Sequence, residues 1–465
     1  MTVVVVGDAL LDRDVLGTVE RVSPDAPVPV VDQRHVRSRC GGAALAAVLA
    51  ASDGREVRLV TALGRDAAGA ELRALLDDAG VEVVDFGLDG PTPEKVRIGV
   101  PGHPLVRLDR GGAAAAVGEP DAGARAAIAW ADGVLVSDYG RGVAASRGVR
   151  EAVAAASGPV VWDPHPKGAQ PVPGAALATP NLAEARAFAG DGERVPGAAR
   201  LARSLAARWS AGAVAVTCGS RGAVLVERDR SPLAIPAQPA AGDDACGAGD
   251  RFAAEAACAL GDGASVADAV LAAVAAASRF VAAGGAAGLA ASAADAVLTL
   301  GAPRRAAADA PPSHHDALAL ARAVRAGGGT VVATGGCFDL LHPGHIRTLE
   351  AARALGDCLV VCLNSDASVA RLKGPGRPVL GVDDRAAVLG ALRCVDGVLV
   401  FEEDTPAAAL ERLRPHVWAK GADYAARELP EAAVLSRWGG EVVLLPLIDG
   451  KSTTRIIEEA TLRAV

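Results

Sequence analysis

The alternation of short apolar runs with alanine-rich stretches constrains the fold of this chain more than any other feature. In the N-terminal part, each run of β-branched residues is typical of a buried strand, and helix-favouring alanine separates most of the runs. Strands that alternate with helices form a mostly parallel sheet covered on both faces. The predicted strands of this part span residues 3–6, 57–60, 81–84, 133–136, 160–162 and 213–216.

The alternation stops near residue 300 and then resumes. Residues 301–313 have no helix or strand period and contain three prolines, as is typical of a linker. We therefore predict a first domain over residues 1–300, a linker with a lead-in helix over 301–326, and a second α/β domain over 327–465. The second domain has predicted strands over 330–333, 358–363, 398–401, 417–419 and 442–445.

Composition and charge exclude several other classes of protein. The 47 basic and 55 acidic side chains give a net charge of −8, which argues against a nucleic-acid-binding surface. The apolar N-terminus meets Asp8 too early for a signal sequence, and the longest alanine-rich run, 269–278, is about half a membrane span. The eight cysteines form no C-x-x-C pair. We expect a soluble, cytoplasmic protein that binds neither nucleic acid nor membranes.

The first candidate site is Gly247-Ala248-Gly249-Asp250, which runs directly into a predicted helix. Glycines ahead of a helix leave backbone N–H groups open toward the helix axis, where the helix dipole also favours an anion. Asp250 in the first turn is placed to accept a proton from a hydroxyl group that attacks a phosphorus atom. The alternative is a capped turn with no further role.

Other positions fit around a sugar and a nucleotide. Asp8 and Asp12 follow the first strand, where we expect a polar turn, and carboxylates at that end of a parallel strand suit sugar hydroxyls. Alternatively, Asp8 caps a helix or turn. Gly41 and Gly42 open a predicted helix and permit close approach of a small ligand. The candidates for binding ATP lie in two later turns and are Asn181, Glu184, Thr217, Gly219 and Gly222.

Gly41-Gly42 and the motif ending at Asp250, in this order and separation, resemble the ribokinase-type (PfkB) sugar kinases over residues 1–300. The resemblance implies a ribokinase-like three-layer α/β domain that transfers a phosphoryl group from ATP to a sugar, with Mg²⁺ as the cofactor and Asp250 as the base. It also implies an anion hole formed by Gly247, Ala248 and Gly249.

Two positions depart from the pattern of that family. Leu45 stands where the family usually has an asparagine that binds a sugar hydroxyl, and Cys246 stands where it usually has threonine. Leucine cannot form a hydrogen bond, so Leu45 leaves the identity of the sugar open. The anion hole consists mainly of backbone, so Cys246 affects the predicted chemistry less.

Residues 22–31, 95–97, 107–109 and 137–142 resemble the heptose-7-phosphate kinase branch of the family. A sugar that already bears a phosphate suits several fixed cations, because these pair well with a dianion. The resemblance implies that the sugar phosphate is bound by Asp8, Asp12, Gly41, Gly42, Lys95, Arg97, Arg107, Asp109 and Asp138. Arg107 and Asp109 are alternatively an ordinary pair on a strand surface.

The second candidate site is His342-Pro343-Gly344-His345, which follows a predicted strand and opens a predicted helix. The helix start places two imidazoles beside open N–H groups, and Gly344 lets a phosphate approach the backbone. Imidazole N–H groups there can stabilise charge that develops on a leaving pyrophosphate. The alternative is a zinc site, for which no third ligand is evident in the sequence.

Two further segments of the C-terminal part suit phosphates. Residues 371–378 contain three cations, two glycines and no acid, which indicates a mobile loop that closes on the β- and γ-phosphates or, alternatively, a solvated cluster. Residues 452–455 place three hydroxyls and an arginine ahead of a predicted helix, and an ordinary N-cap explains only one of those hydroxyls.

The His-x-Gly-His motif and the terminal Ser-Thr-Thr run resemble the cytidylyltransferase-like nucleotidyltransferases. Residues 364–366, 401–406 and 420–424 resemble the branch that adenylylates sugar phosphates. The resemblance implies a Rossmann-like α/β domain with His342 and His345 as catalytic residues. Ala422 departs from the glycine common in that branch. The implied nucleotide-binding residues are Gly335, Cys337, Phe338, Asp339, Asn364, Asp366, Lys373, Lys420, Ser452, Thr453, Thr454 and Arg455.

A kinase followed by a transferase resembles the bifunctional heptose-7-phosphate kinase/heptose-1-phosphate adenylyltransferases. The resemblance implies phosphorylation of D-glycero-β-D-manno-heptose 7-phosphate at O1, and adenylyl transfer from ATP to the heptose 1-phosphate, with a homodimer formed through the kinase domain. One alternative is a related fusion acting on another sugar phosphate or nucleoside triphosphate. A second is a catalytically inactive ligand sensor, against which Asp250, His342 and His345 argue.

Overall fold

The computed structural model describes residues 1–100, 103–111, 116–190, 197–228, 230–238, 245–289, 316–421 and 429–446. The chain divides into two compact units, one of residues 1–189, 204–217 and 237–306, and one of residues 190–203, 218–236 and 307–465. The predicted linker lies outside the described residues except for its lead-in helix. The predicted domain boundaries therefore stay a prediction.

The strands before residue 290 are β1 (Thr2–Gly7), β2 (Ala9–Val22), β3 (Pro29–Gly42), β4 (Glu56–Thr61), β5 (Glu82–Asp85), β6 (Leu88–Asp89), β7 (Glu94–Val100), β8 (His103–Arg110), β9 (Ala116–Val117), β10 (Gly133–Ser137), β11 (Val160–Asp163), β12 (Leu177–Ala178), β13 (Ala213–Thr217), β14 (Ala223–Glu227) and β15 (Leu233–Ile235). The helices are α1 (Ala43–Ser52), α2 (Ala67–Asp78), α3 (Ala122–Trp130), α4 (Arg147–Ala154), α5 (Leu182–Ala189), α6 (Ala198–Trp209), α7 (Ala248–Gly261), α8 (Val266–Ala282) and α9 (Gly285–Gly288).

The predicted parallel sheet of the N-terminal part is confirmed. Its strands lie in the order β13-β12-β11-β10-β1-β4-β5, and each neighbouring pair is parallel. Successive side chains of a strand point to opposite faces of the sheet, and Val3 to Val6 of β1 are all fully buried, so both faces are covered. One face packs Val4, Val6 and Trp162 against α3 and α4. Alanine-rich helices such as α1 pack closely because their side chains are small.

A second sheet, with the order β3-β2-β7-β8, was missed at the sequence level. The prediction of a polar turn after Asp8 is wrong, because Ala9–Val22 is a 14-residue strand that pairs antiparallel with β3 and parallel with β7. Charged and apolar residues are mixed along this strand, and much of it is exposed. It therefore lacks the continuous apolar run by which the strands of the central sheet were recognised.

The part after residue 315 has five parallel strands, β16 (Val331–Gly336), β17 (Cys358–Asn364), β18 (Gly397–Phe401), β19 (Val417–Gly421) and β20 (Glu441–Leu445). They lie in the order β18-β17-β16-β19-β20. In chain order this is 3-2-1-4-5, the Rossmann-like arrangement whose switch point lies at the carboxyl end of the first strand. The helices of this part are α10 (Ala317–Ala326), α11 (Pro343–Arg353), α12 (Asp366–Lys373), α13 (Val382–Gly390), α14 (Ala407–Leu413) and α15 (Pro430–Ser436).

The alanine-rich run at 269–278 belongs to α8, whose apolar residues are largely buried in the N-terminal part. Across the described ranges, no helix combines the length and the hydropathy that a membrane crossing requires.

Candidate active sites

The predicted anion hole lies at the start of α7. Gly247 is the N-cap residue and has a left-handed backbone with φ of 82°, and a Cβ at that position would come within 2.8 Å of the Leu45 side chain. A Cβ at Gly249 would meet nothing within 4 Å, so packing inside the protein does not require glycine there. The open space beside Gly249 is compatible with the predicted anion hole, because a phosphate could approach the N–H groups at the helix start.

Asp250 lies in the first turn of α7 and is only 7% exposed. Burial raises the pKa of its carboxyl to about 7, against a hydrogen bond from Tyr139 and the charge of Lys95, which both lower it. The Tyr139 hydroxyl donates to Oδ1 of Asp250 at 2.8 Å. A carboxyl with a pKa near neutrality is suited to accept a proton from a substrate hydroxyl at physiological pH.

One face of the β2–β3–β7–β8 sheet carries most of the predicted phosphate-binding cations. The register places Lys95 opposite Asp12 and Asp109, and Arg97 opposite Arg107. Arg97 pairs with Asp12 at 3.0 Å, and Arg107 pairs with Asp109 at 2.7 Å. Within the described ranges Lys95 has no ion pair, and its Nζ lies 5.0 Å from the centre of the Tyr139 ring. Lys95 is therefore the most available of the three cations.

Two predicted sugar-binding carboxylates hold a loop. Asp8, 3% exposed, accepts hydrogen bonds from the backbone N–H groups of Tyr139, Arg141 and Val143 at 2.9 to 3.0 Å. Asp138 accepts from the N–H groups of Gly140 and Ala169, both at 2.7 Å. These contacts favour the alternative interpretation of Asp8, in which its carboxylate organises a turn.

Gly41 and Gly42 lie where β3 passes into α1. Gly42 is the N-cap residue of α1, with φ of 59°, and a Cβ at Gly41 would come within 2.6 Å of Oδ2 of Asp12. Leu45, 3% exposed, packs under Gly247 at the anion hole. The leucine that departs from the family pattern therefore supports the turn before α7 by packing.

The predicted ATP-binding residues lie at the start of α5 and around the end of β13. Asn181 Oδ1 accepts from the N–H groups of Ala183 and Glu184, while Glu184 accepts from the Asn181 N–H at 2.9 Å. This reciprocal capping box starts α5. Thr217 ends β13 and forms a bridge with Asn181. The turn that follows contains Gly219 and Gly222, both with positive φ.

Asp163 is a candidate that sequence reasoning missed. It ends β11 and accepts a hydrogen bond from the Thr179 hydroxyl at 2.8 Å. Burial raises its pKa well above the ordinary value, and the charges of Glu184 and Asp250 raise it further. The carboxyl groups of Asp163, Glu184 and Asp250 thus lie near one another. The sequence signal for Asp163 was its place directly after the predicted strand 160–162, at the same end of the sheet as Asp8.

In the second candidate site, His342 and His345 flank the start of α11. His342 is the N-cap residue, and the two imidazole rings stack with their centres 3.8 Å apart. Burial and then the neighbouring His342 lower the pKa of His345 to about 4, so this imidazole is neutral at pH 7. Its Nδ1 is buried without a partner among the described residues. Within the same residues, no group of three or more His, Cys, Asp or Glu side chains could hold a metal ion.

In the cationic segment at 371–378, the first three residues form the end of α12 and two of the three cations are paired with acids. Arg377 pairs with the buried Asp339 at 2.5 Å, and Arg371 pairs with Asp404 at 2.7 Å. The acids that neutralise these arginines come from other segments, which the absence of an acid inside the loop could not reveal. Among the described residues, Lys373 alone of the three cations has no carboxylate partner.

Arg385 was also missed, and it organises this site. Its guanidinium is completely buried and donates to the carbonyls of Cys337 and Asn364 at 2.6 and 2.9 Å, and to Asp366 at 2.6 Å. It thereby ties the loop after β16 to the end of β17 and the start of α12. A single arginine between two predicted strands gives no sequence signal for such a role.

The other predicted nucleotide-binding residues lie at the carboxyl ends of neighbouring strands. Gly335 is the penultimate residue of β16 and lies beside Trp418, with which a Cβ would clash at 2.5 Å, and Phe338 follows with φ of 43°. Asn364 ends β17, and Lys420 in β19 pairs with Glu431 at 2.8 Å. Ser452, Thr453, Thr454 and Arg455, like Ala422, lie outside the described residues.

Comparison with known proteins agrees with this geometry. Residues 1–292 match the pfkB family of carbohydrate kinases, and residues 333–459 match the cytidylyltransferase-like family. Phosphofructokinase-2 from Escherichia coli, in complex with potassium, covers 60% of this chain and 92% of its own, with a TM-score of 0.50 and 18% identity, and so shares the fold of the N-terminal part. The chain thus combines a carbohydrate kinase with a nucleotidyltransferase.

Relatives that match nearly the whole chain identify the family to which this pair of domains belongs. The bifunctional protein HldE of Streptomyces coelicolor is 54% identical over 98% of this chain and 96% of its own length. The bifunctional protein HldE of Azorhizobium caulinodans is 40% identical over 98% of both chains. The chain belongs to the family of bifunctional HldE proteins.

Tyr139→Phe tests the electrostatics of the first site. Asp250 must be ionised to act as a base, so kinase kcat/KM should rise with pH through the pKa of about 7. Loss of the Tyr139 hydroxyl removes a bond to the ionised form, and the inflection should move upward by about one pH unit. The inflection is measured from the pH dependence of ADP release by wild type and variant. The same inflection in both proteins would contradict the assigned hydrogen bond between Tyr139 and Asp250.

Arg385→Met tests the organising role of Arg385. The substitution leaves two carbonyls without a buried donor, so the C-terminal part should lose about 3 kcal/mol of stability. Urea inactivation should show the transferase lost at lower urea, with the kinase midpoint unchanged. Arg371→Met is the matched control, because its pair with Asp404 is half-exposed and contributes less than about 1 kcal/mol.

Proposed function

We propose that this protein phosphorylates D-glycero-β-D-manno-heptose 7-phosphate at O1 and transfers an adenylyl group from ATP to D-glycero-β-D-manno-heptose 1-phosphate. A separate phosphatase would remove the 7-phosphate between the two steps. The observation that carries the kinase assignment is Asp250, a buried carboxyl with a pKa of about 7 at the open start of α7. The sugar itself is proposed from the resemblance to the heptose kinase branch.

In the first reaction, the O1 hydroxyl attacks the γ-phosphorus of ATP, its proton passes to Asp250, and ADP leaves. The N–H groups at Gly247, Ala248 and Gly249 would hold the transferred phosphoryl group. Mg²⁺ would arrive with ATP and neutralise phosphate charge, and most of its ligands in such sites are phosphate oxygens and water. Asp163 and Glu184, whose carboxyl pKa values are raised by burial, fit beside that cation because it would stabilise their ionised forms.

In the second reaction, an oxygen of the sugar 1-phosphate attacks the α-phosphorus of ATP and pyrophosphate leaves. His345 is neutral at pH 7 and so can donate an N–H to the phosphates without adding charge to the resting site. His342 stacks beside it, and Lys373 is the cation available to the leaving pyrophosphate. The hydroxyls of residues 452–454 and Arg455 are proposed to complete the nucleotide site.

The remaining alternative is that the substrate is another sugar phosphate or another nucleoside triphosphate. The substrates are identified by assaying a panel of sugar phosphates with ATP, CTP and GTP, while the release of ADP and of pyrophosphate is followed separately. The heptose assignment fails if another sugar 7- or 6-phosphate gives the higher kcat/KM. The sensor alternative is supported only if neither product is released with any pair.

The protein is also proposed to act as a cytoplasmic homodimer that pairs through its kinase domain. The face of the β2–β3–β7–β8 sheet opposite to Lys95 exposes a row of apolar side chains, of which Val36, Val106 and Leu108 are 46%, 57% and 41% exposed. Apolar residues contiguous on one sheet face are typical of a protein interface.

Asp250→Asn should abolish the kinase reaction and leave adenylyl transfer to heptose 1-phosphate intact. Loss of a general base typically slows a reaction by about 10²–10⁴-fold. The buried carboxyl has a raised pKa in the folded state, so its ionisation opposes folding as pH rises toward 7; the asparagine variant should therefore be no less stable than wild type at pH 8. Retention of more than about a tenth of the kinase rate would contradict the assignment.

His345→Ala should slow adenylyl transfer by about 10²–10³-fold, because one donor to developing charge is lost. ATP affinity should change far less, since the donor acts where charge builds as pyrophosphate leaves. Single-turnover kinetics and equilibrium ATP binding separate the two effects, and the kinase rate of the same preparation is the control. Stoichiometric zinc in the wild-type protein, or unchanged turnover, would leave the catalytic role without support.

A further inference from the structure

Beside the first site lies a pocket of whose lining residues only Asp138, and none of the cations, was predicted to bind the sugar phosphate. Its volume is about 470 Å³, and its walls include Gly140, Arg141, Gly142, Ser146, Lys167 and Gly168. The walls therefore combine two cations, one hydroxyl and glycine backbone. This combination suits a phosphate group, because it offers charge together with hydrogen-bond donors on a surface that a small anion can approach closely.

The cations of this pocket are not neutralised. Arg141 uses Nη1 to donate to the Gly111 carbonyl at 3.0 Å, and Lys167 is exposed. Neither forms an ion pair within the described part of the chain, in contrast to Arg97 and Arg107. Burial lowers the pKa of the nearby His165, and the charges of Lys167, Lys95 and Arg141 lower it further, against the opposing charge of Asp8. Three cations therefore act on this side of the first site.

Two acids, Asp138 and Glu119, also line the pocket, and neither is paired with Arg141 or Lys167 in the part of the chain that the structure describes. Both oxygens of Asp138 accept a backbone hydrogen bond, from Gly140 and Ala169, and so hold the two loops that form the walls. Glu119 is exposed at the margin. Gly168 is required by packing here, since a Cβ would come within 2.1 Å of Oδ2 of Asp138.

Ser146 supplies an unused polar group. It is the N-cap residue of the eight-residue helix α4, yet its hydroxyl makes no capping bond. Its Oγ is buried and has no hydrogen-bond partner among the described residues. A buried hydroxyl without a partner is costly, and a phosphate oxygen in the pocket would provide one.

The position of the pocket relative to Asp250 fits a phosphorylated sugar. Tyr139 bonds to Asp250 through its hydroxyl and precedes Gly140 in the pocket wall, so one tyrosine side chain separates the two. Lys95 lies over the same ring, 5.0 Å from its centre. A heptose 7-phosphate carries its O1 and its phosphate at opposite ends of the molecule, and could extend along Tyr139 from Asp250 to the pocket.

We propose that the pocket of Arg141, Ser146 and Lys167 binds the phosphate that the sugar substrate already carries, and thereby makes the kinase select phosphorylated over unphosphorylated sugars. The proposal rests on the proposed kinase function. It assigns the phosphate to residues other than Arg97 and Arg107, which are held by Asp12 and Asp109.

Calorimetric titration of the full chain with D-glycero-β-D-manno-heptose 7-phosphate, with ATP omitted, tests the pocket directly. Arg141→Gln and Lys167→Gln should each weaken binding by about 10- to 100-fold, because each removes hydrogen bonds to a charged group. Binding of the unphosphorylated heptose should be the same in all variants. Arg147→Gln is the matched control, since that arginine is 90% exposed and pairs with Glu151 on α4; it should bind the sugar phosphate as wild type does.

Ser146→Ala adds a measurement that a structural role would not move. The melting temperature of the free protein should not fall, because the hydroxyl has no partner there, whereas the stabilisation by heptose 7-phosphate should shrink. Equal affinity of the sugar phosphate for wild type, Arg141→Gln and Lys167→Gln overturns the proposal, as does a wild-type chain that binds both sugars equally. Tight, variant-sensitive binding without phosphorylation would support the pocket and overturn only the kinase assignment.

Discussion

Parallel strands all end at one edge of their sheet, and this constraint fixes where both parts of the chain hold their polar groups. In the N-terminal part, Asp8 and Asp138 follow β1 and β10, and Asp163 ends β11. In the C-terminal part, the loop before His342 follows β16, and Asn364 ends β17. Loop backbone at this edge has no strand neighbour to bond with, so it depends on side chains for its hydrogen bonds.

That dependence separates the polar residues into two groups. In one group, the side chains bond to loop backbone: Asp8 and Asp138 accept from N–H groups, and Arg385 donates to carbonyls. The loops held in this way form the walls of the two sites. Asp250 and His345 are not used in this way: the carboxyl of Asp250 receives its side-chain bond from Tyr139, and Nδ1 of His345 has no partner among the described residues. Burial shifts the pKa values of Asp250 and His345 toward their neutral forms, to about 7 and about 4.

The sequence was most informative where structure depends on neighbouring residues. Apolar runs predicted the strands of both parallel sheets, and the glycines before α7 and the histidines before α11 predicted helix starts with open N–H groups. The β2–β3–β7–β8 sheet was missed because its strands mix charged and apolar residues and have two partly exposed faces. Pairs such as Arg377 with Asp339, and the contacts of Arg385, join residues that are distant along the chain, and composition carries no record of them.

These distant pairs decide which cations can receive a phosphate. An arginine already held by a buried carboxylate must break that pair to bind another anion, and breaking it leaves an uncompensated charge. By this criterion Arg97 and Arg377 are committed to the protein, whereas the pair of Arg107 with Asp109 is exposed and weak. Among the described residues, Lys95, Arg141, Lys167 and Lys373 have no carboxylate partner. A count of basic residues in a motif therefore overestimates its capacity to bind phosphate. The ion pairs of the folded chain thus leave only a few of these cations for a phosphate, and Lys95 and Arg141 among them flank Tyr139, which bonds to Asp250.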